Sequence, residues 1–177
     1  MAWKLRRATE GDLLTLVRHR DAMWMEMGRV APGEPDPTSR AYGEWLAERM
    51  RRGTLTAFIA EEGGRVLASG GVWVQEVQPR PGHPCTQWGY ILSIYTEPPA
   101  RSRGLAKAIV QACIDRAKAA GCTRATLHAS DAGRPLYEEF GFEPTSEMWL
   151  DLRPPEERPA ARQSNPSKPR AGRKASR

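Results

Sequence analysis

The chain has 177 residues, 40% of them hydrophobic and 27% charged, with a formal net charge of +6; that allows one ordinary globular domain with a sizeable core and leaves almost no room for a second. Eight of the 27 basic and two of the 21 acidic side chains stand from Arg153 onward, which leaves 19 of each sign in the rest. A neutral body weighs against a nucleic-acid-binding fold with a basic face and assigns any such role to the tail.

The start, Met1-Ala-Trp-Lys-Leu-Arg-Arg, has no apolar run resembling a signal peptide, and nowhere do about 18 uninterrupted apolar residues occur. A soluble cytoplasmic protein with no membrane span is expected. Trp3 to Arg7 predicts a first strand. Thr9 offers a hydroxyl N-cap to a helix from Glu10 to Met27, along which Leu13, Leu16, Val17, Met23 and Met27 recur near helical spacing. Gly28 breaks it, and a Pro-rich loop leads to Thr38, a cap for a second helix from Ser39 to Arg52. Leu55 to Glu61 and Arg65 to Val77 are β-prone runs joined by Glu62-Gly63-Gly64, a signal for an antiparallel hairpin. Gln78 to Cys85, with three prolines, reads as a loop, and Trp88 to Thr96 as a strand that Pro98 and Pro99 stop.

Gly104 to Ala120 carries Leu105, Ala108, Ile109, Ala112 and Cys113 at helical spacing and ends at Gly121, followed by a strand from Thr123 to Ala129. A helical crossover between two strands favours parallel pairing. A short helix from Gly133 to Phe140 and a last strand from Met148 to Leu152 complete a mixed α/β sheet. The domain is expected over residues 1–152. Residues 153–177, with five prolines and no aromatic residue, hold too little apolar surface to offset ordering and predict a disordered basic tail. Cys85, Cys113 and Cys122 are odd in number and lack metal-ligand spacing, so unpaired thiols in a reducing compartment and no metal are expected.

The chemistry concentrates where the strand ending Ile94-Tyr95-Thr96 passes through Arg101-Ser-Arg-Gly-Leu-Ala into the third helix. Such a turn aims backbone N–H groups outward at a helix N-terminus, where the helix dipole also favours an anion, phosphate above all. Gly104 and Ala106 let the backbone come close to an oxygen, and Arg101 and Arg103 add charge. The turn is neither a P-loop nor a dinucleotide fingerprint.

This segment resembles motif A of the GCN5-related N-acetyltransferases, Q/R-x-x-G-x-G/A, and Ser130-Asp-Ala-Gly-Arg-Pro-Leu-Tyr-Glu-Glu-Phe-Gly-Phe resembles motif B; with the preceding helices and strands the resemblance spans residues 3 to 152. It implies a mostly antiparallel mixed α/β sheet whose parallel central strands splay apart between flanking helices. It also implies acetyl-CoA as cosubstrate. Carried over by residue, backbone groups of Ile94, Tyr95 and Thr96 would bond the pantetheine arm, the Tyr95 amide facing the thioester oxygen as an oxyanion donor. The amides of Arg101, Ser102, Arg103, Gly104, Leu105, Ala106 and Lys107 would surround the pyrophosphate, with Ser130 and Arg134 as further contacts. Ser130 stands where the family often has Asn. Tyr137 matches the tyrosine that protonates the departing thiolate, its alternative being a plain core aromatic.

The amine side has weaker signals. A lysine-like acceptor is mostly ammonium at pH 7, and deprotonating it costs about 4.6 kcal/mol. Glu26 and His128 are candidate proton acceptors, against readings as a solvated helix-end carboxylate and a satisfied sheet histidine. Ser93, polar within an apolar strand, faces the cleft or bonds nearby backbone. Trp24, Trp45 and Trp88 line an acceptor pocket or pack ordinarily. His19 and His83 are expected at the surface.

The function expected is direct acetyl transfer to a primary amine, of a small molecule rather than a protein, without an acyl-enzyme. The alternative is an acyl-CoA-sensing binding module whose basic tail contacts nucleic acid or another acidic partner. A homodimer is left open.

Overall fold

The middle of the sheet is buried on both faces, which is why its second strand reads as a near-continuous run, Leu-Thr-Ala-Phe-Ile-Ala, instead of alternating. The computed structural model describes residues 2–31, 33–34, 36–79, 86–148 and 150–154. They divide into two compact units, Met1–Phe142 and Glu143–Arg177, and every described helix and strand belongs to the first. In chain order these are β1 (Lys4–Arg7), a 3-10 turn (Glu10–Asp12), α1 (Leu13–Glu26), α2 (Ser39–Arg51), β2 (Leu55–Glu62), β3 (Arg65–Glu76), β4 (Gln87–Thr96), a second 3-10 turn (Pro98–Ala100), α3 (Leu105–Ala119), β5 (Ala125–Thr126) and α4 (Arg134–Glu139). The strands lie side by side as β1-β2-β3-β4-β5, antiparallel except for the parallel β4–β5 pair. The structure therefore has the mixed, mostly antiparallel sheet flanked by helices that the resemblance implies.

Side-chain alternation sorts the core into two layers. Phe58, Ala60, Ala68, Val72 and Ile91 pack under α3 against Leu105, Ile109, Cys113 and Ala117. Leu55, Ala57 and Ile59 point the other way, to Leu16 of α1 and Leu46 of α2. Gly70 and Gly89 let α3 and β4 approach the sheet closely. A Cβ on Gly89 would lie 2.7 Å from Ala117 Cβ, and one on Gly70 would strike Ile94 Cδ1 and sit 2.9 Å from Ile109 Cγ2. Gly70→Val is accordingly expected to destabilise the fold by about 1–3 kcal/mol or more through overpacking, read as a lower urea midpoint with an unchanged slope.

Two features of β4 shape the site. Ser69 faces Tyr95 while Gly71 faces Leu92, so Ser93 and Ile94 together oppose Gly70 in a β-bulge, with Ser93 at φ 53. The ladder to β5 holds only Gly89 opposite Ala125 and Tyr90 opposite Thr126. Beyond Tyr90 the two strands part, and among the described residues no strand pairs with that edge of β4.

Several elements differ from the sequence-based expectation. The first helix opens as a 3-10 turn before the α-helix starts at Leu13. The α2 start is tied by Asp36, whose carboxylate accepts the Thr38 N–H at 2.8 Å and the Thr38 hydroxyl at 2.7 Å, so that hydroxyl does not cap the helix. The strand expected from Thr123 to Ala129 keeps only two residues because β4 leaves it after Tyr90. Met148 to Leu152 forms no strand among the described residues. Met148, Leu150 and Leu152 stay exposed, and a strand without cross-strand partners has little to hold it. Trp149, His83, Cys85 and all of the expected tail beyond Pro154 lie outside the described residues.

Candidate functional site

Where β4 ends, the chain makes the Pro98–Ala100 turn and enters α3 through Arg101-Ser-Arg-Gly. Ser102 (φ 61) and Gly104 (φ 78) both take left-handed backbone within three residues. The first bond of the α3 ladder runs from the Ala108 N–H to the Gly104 carbonyl at 3.0 Å, so the amides of Gly104, Leu105, Ala106 and Lys107 lie ahead of it. Such donors, together with the helix dipole, favour a negative charge in front of them. Gly104 is exposed, and a Cβ there would meet nothing within 4 Å.

The cationic side chains of this turn already hold carboxylates. Both Glu26 oxygens accept from Arg101 Nη2 at 2.6 Å, Arg103 pairs with Glu62 at 2.8 Å, and Lys107 pairs with Glu139 at 2.9 Å. Arg101 Nε also donates to the Thr96 carbonyl at 3.1 Å. Exposed pairs of this kind are worth about 0–1 kcal/mol each, so an incoming anion exchanges with them at small cost. The Glu26 carboxylate is thus bound at the mouth of the turn instead of standing free.

The end of β4 is braced from behind. The Tyr95 ring is buried, 5.1 Å from the His19 ring, and its hydroxyl donates to Glu26 at 3.2 Å; burial first, then the Glu26 charge, pushes the phenol above its ordinary value. His19 corrects the sequence reading. It is fully buried on α1 because its ring finds partners on every side. Its Nε2 lies 3.2 Å from Arg18 Nη2 and 3.3 Å from Glu97, and its Nδ1 lies 2.8 Å from the Ser69 hydroxyl. At Nε2 the Arg18 guanidinium only donates and the Glu97 carboxylate only accepts, and the Ser69 hydroxyl at Nδ1 serves either tautomer. Burial, followed by the Arg18 charge, lowers the His19 pKa from 6.5. Above pH 6.5 the ring is neutral in both folded and unfolded chains. As pH falls below that, the unfolded chain takes up a proton the folded chain refuses, and stability drops. Urea midpoints between pH 7.5 and 5 are expected to fall more steeply for the unaltered protein than for His19→Asn.

Tyr137 stands on α4. The turn into this helix is fixed by Ser130, whose hydroxyl accepts the Gly133 N–H at 3.1 Å and whose carbonyl accepts the Arg134 N–H at 2.9 Å. Ser130 is half-buried and Arg134 exposed at the first helical position. The half-buried Tyr137 ring meets Phe142 edge-on at 6.0 Å, on the α3 side of the sheet. Burial, with the Cys113 thiol adding to it, pushes the phenol up to about 12; burial alone holds Cys113 at about 12. Tyr137 is a neutral donor at working pH and Cys113 a protonated thiol, unsuited to nucleophilic attack.

The α1–α2 side of the sheet carries the remaining candidates. The Ser93 hydroxyl is 3.3 Å from Tyr42 OH, and both residues line a small cavity of about 10 Å³, room for about one water. Trp45 packs edge-on to Trp73 at 5.2 Å and stacks on Tyr42, an ordinary core role. Trp24 is half-buried beneath the Arg20 guanidinium, and its indole nitrogen has no hydrogen-bond partner among the described residues. Trp88 lies under Arg124 at 4.9 Å. His128 is exposed, two residues past the end of β5, with Nδ1 2.7 Å from Tyr90 OH. Tyr90 escaped the sequence reading, and Tyr42 reads there only as an apolar member of the second helix. Only the β4–β5 register, which sets Tyr90 opposite Thr126, would have disclosed the first. Among the described residues no group of three or more His, Cys, Asp or Glu side chains could hold a metal, and no helix is long and apolar enough to cross a membrane.

Known proteins share this arrangement. A predicted acetyltransferase from Clostridium acetobutylicum, solved with acetyl-CoA, superposes with a TM-score of 0.78 at 27% identity, over 86% of this chain and 96% of that one. A GCN5-related N-acetyltransferase from Ralstonia eutropha JMP134 gives 0.75 at 34% identity, over 85% and 99%. A glucosamine 6-phosphate N-acetyltransferase of Trypanosoma brucei brucei is 30% identical over 106 residues, 59% of this chain and 70% of that protein. Residues 18–142 match the model of the acetyltransferase (GNAT) family. The fold is thus shared with these acetyltransferases, and the chain belongs to the GNAT family as an acetyl-CoA-dependent N-acetyltransferase.

Proposed function

We propose that the protein transfers the acetyl group of acetyl-CoA directly to a primary amine of a small molecule, with Tyr137 as general acid. The observation that carries this reading is the α3 start, where two left-handed residues and the unbonded first amides of the helix adjoin the unpaired edge of β4. In it, the amides of Ser102 to Lys107 hold the diphosphate, while that of Arg101, expected from sequence to join them, donates to the Pro98 carbonyl at 3.3 Å. Arg101 and Arg103 exchange Glu26 and Glu62 for phosphate oxygens. Backbone groups of Ile94 and Thr96 extend the sheet along the pantetheine arm, whereas Tyr95, paired with Ser69 two residues before the Glu97 N–H that bonds the Leu67 carbonyl, turns its amide to β3 and away from the thioester, against the sequence expectation. Ser130, whose O–H remains free to donate while its oxygen accepts from Gly133, and exposed Arg134 flank the same cleft.

The small-molecule acceptor is supported by the trypanosomal relative, whose named substrate is an amino sugar phosphate. Trp24 and Ser93 border the acceptor on the α1–α2 side. Cys113 is a free thiol, in keeping with a cytoplasmic setting. The test is thiol release from acetyl-CoA with glucosamine 6-phosphate, spermidine, an aminoglycoside and a lysine peptide as probes. Turnover with a small amine above that with the peptide is expected. Tight binding of acetyl-CoA with no turnover across the panel would reject enzymatic transfer in favour of a coenzyme-sensing module.

A further inference from the structure

We infer that Glu26 is a coenzyme-gated base: the diphosphate draws Arg101 off its carboxylate, which then holds the acceptor ammonium and takes its proton. The inference rests on the transfer reaction proposed above. Glu26 closes the last turn of α1 and stands between the places of the two substrates. On the coenzyme side both its oxygens accept from Nη2 of Arg101, at the entry to α3, at 2.6 Å. On the other side it belongs to the α1–α2 face of β4, since the Tyr95 hydroxyl that donates to it at 3.2 Å extends from a ring packed on His19 of α1. Ser93, two residues earlier on β4, meets Tyr42 of α2 on that same face. Tyr137 belongs to the opposite face, with Phe142 and Cys113. A thioester laid along the edge of β4 therefore has a proton donor on one side of the sheet and this carboxylate on the other.

The gate is a competition for one carboxylate. The Arg101 and Glu26 side chains are 47% and 44% exposed, so their pair is screened and opens at small cost. A diphosphate in front of the α3 amides offers Arg101 more charge and more acceptor oxygens than one carboxylate does. As Arg101 turns to it, Glu26 keeps the Tyr95 hydroxyl and gives up its guanidinium. Its charged neighbours on α1 are already matched: Arg18 pairs with Glu97 at 2.8 Å, and Asp21 accepts from Ser39 at 2.6 Å and from Arg20 at 3.3 Å. The negative charge uncovered at Glu26 is thus left for an arriving cation. Val17, Ala22 and Met25, with Arg18, Asp21 and Glu26, line an open groove of about 440 Å³ along α1, enough for a small ligand. Its apolar wall and the Glu26 carboxylate suit a primary ammonium on an aliphatic stem.

The protons balance. A Glu26 oxygen takes one proton from the ammonium and, being exposed, hands it to water. The freed nitrogen lone pair bonds the thioester carbon as the C–S bond breaks. The thiolate takes the Tyr137 proton, which the second proton leaving nitrogen replaces. Ammonium and thioester thus give amide, thiol and one proton. Because a single carboxylate links the two sites, coenzyme and amine tighten each other's binding by the same factor.

The test uses the full chain and whichever amine of the four probes the unaltered protein turns over. Glu26→Gln keeps the shape of the side chain and removes its charge. It is expected to bind CoA about two- to fivefold more tightly, because Arg101 no longer has a carboxylate to leave, and yet to lower kcat about 10²-fold. That deficit is expected to shrink as pH rises from 7 toward about 10, where the amine arrives already neutral. By calorimetry, saturating CoA is expected to raise amine affinity about two- to fivefold in the unaltered protein and not at all in Glu26→Gln. Unchanged kcat in the variant would make Glu26 a brace of the empty turn and overturn the inference. So would slower turnover without tighter CoA binding, a deficit that does not vary with pH, or an amine affinity indifferent to CoA in the unaltered protein; each leaves the transfer reading intact. No acetyl-CoA binding, or no turnover of any probe by the unaltered protein, would overturn both.

Discussion

Gly104→Val is expected to weaken acetyl-CoA binding by about 10²–10⁴-fold while the protein stays folded. Gly104 has φ 78, and left-handed backbone costs a non-glycine residue about 1–2 kcal/mol, more when it is β-branched. No packing is lost, since an added Cβ meets nothing within 4 Å. The damage falls on aim: a valine that relaxes out of the left-handed region turns its own amide and the next one away from the anion. Hydrogen bonds to a charged group contribute about 1.5–3 kcal/mol each, and two of them account for the range. Calorimetric titration with acetyl-CoA, alongside a thermal melt, separates the two effects. A variant that melts within a few degrees of the unaltered protein yet binds normally would show that the diphosphate is held elsewhere.

Tyr137→Phe is expected to lower kcat about 10²-fold, the lower end of the range for general acids, with little change in coenzyme affinity. The modest figure follows from the burial of the ring. A phenol held at about 12 is a weaker acid than the thiol it makes, with an ordinary pKa near 8.5, so the proton moves only as negative charge gathers on sulfur. The same shift keeps Tyr137 protonated throughout the neutral range, so no alkaline limb below about pH 10 belongs to it. Single-turnover rates at saturating acetyl-CoA and amine check the effect. An unchanged rate would mean that the thiolate departs unassisted, leaving Tyr137 as packing against Phe142.

Most of the architecture was legible because it rests on local rules. The Gly63–Gly64 turn, the stripes of α1 and α3 and the Gly-marked entry to α3 each fix an element through its own residues. What failed depended on neighbours. Thr123 to Ala129 is β-prone along its length, but a strand persists only while a partner strand bonds it, and β4 bends away at the Ser93 bulge. His19, flanked by Arg18 and Arg20, looks like a surface residue until Ser69 and Glu97, 50 and 78 positions away, close around it. The same limit governs the candidate site. Its backbone half, a turn of contiguous residues, was readable as an anion cradle. Its side-chain half was not: the capture of Glu26 by Arg101 and of His128 by Tyr90 joins segments that only the sheet register and the α1–β4 packing bring together.

The proposed site stands or falls on whether the opening turn of α3 grips a diphosphate. The direct measurement is calorimetric titration of the intact protein with CoA and, in parallel, with pantetheine, which carries the same thiol arm and no diphosphate. CoA should bind and pantetheine should bind at least about 10²-fold more weakly, the loss of two charge-assisted bonds. Equal affinities, or heat from neither, would contradict it.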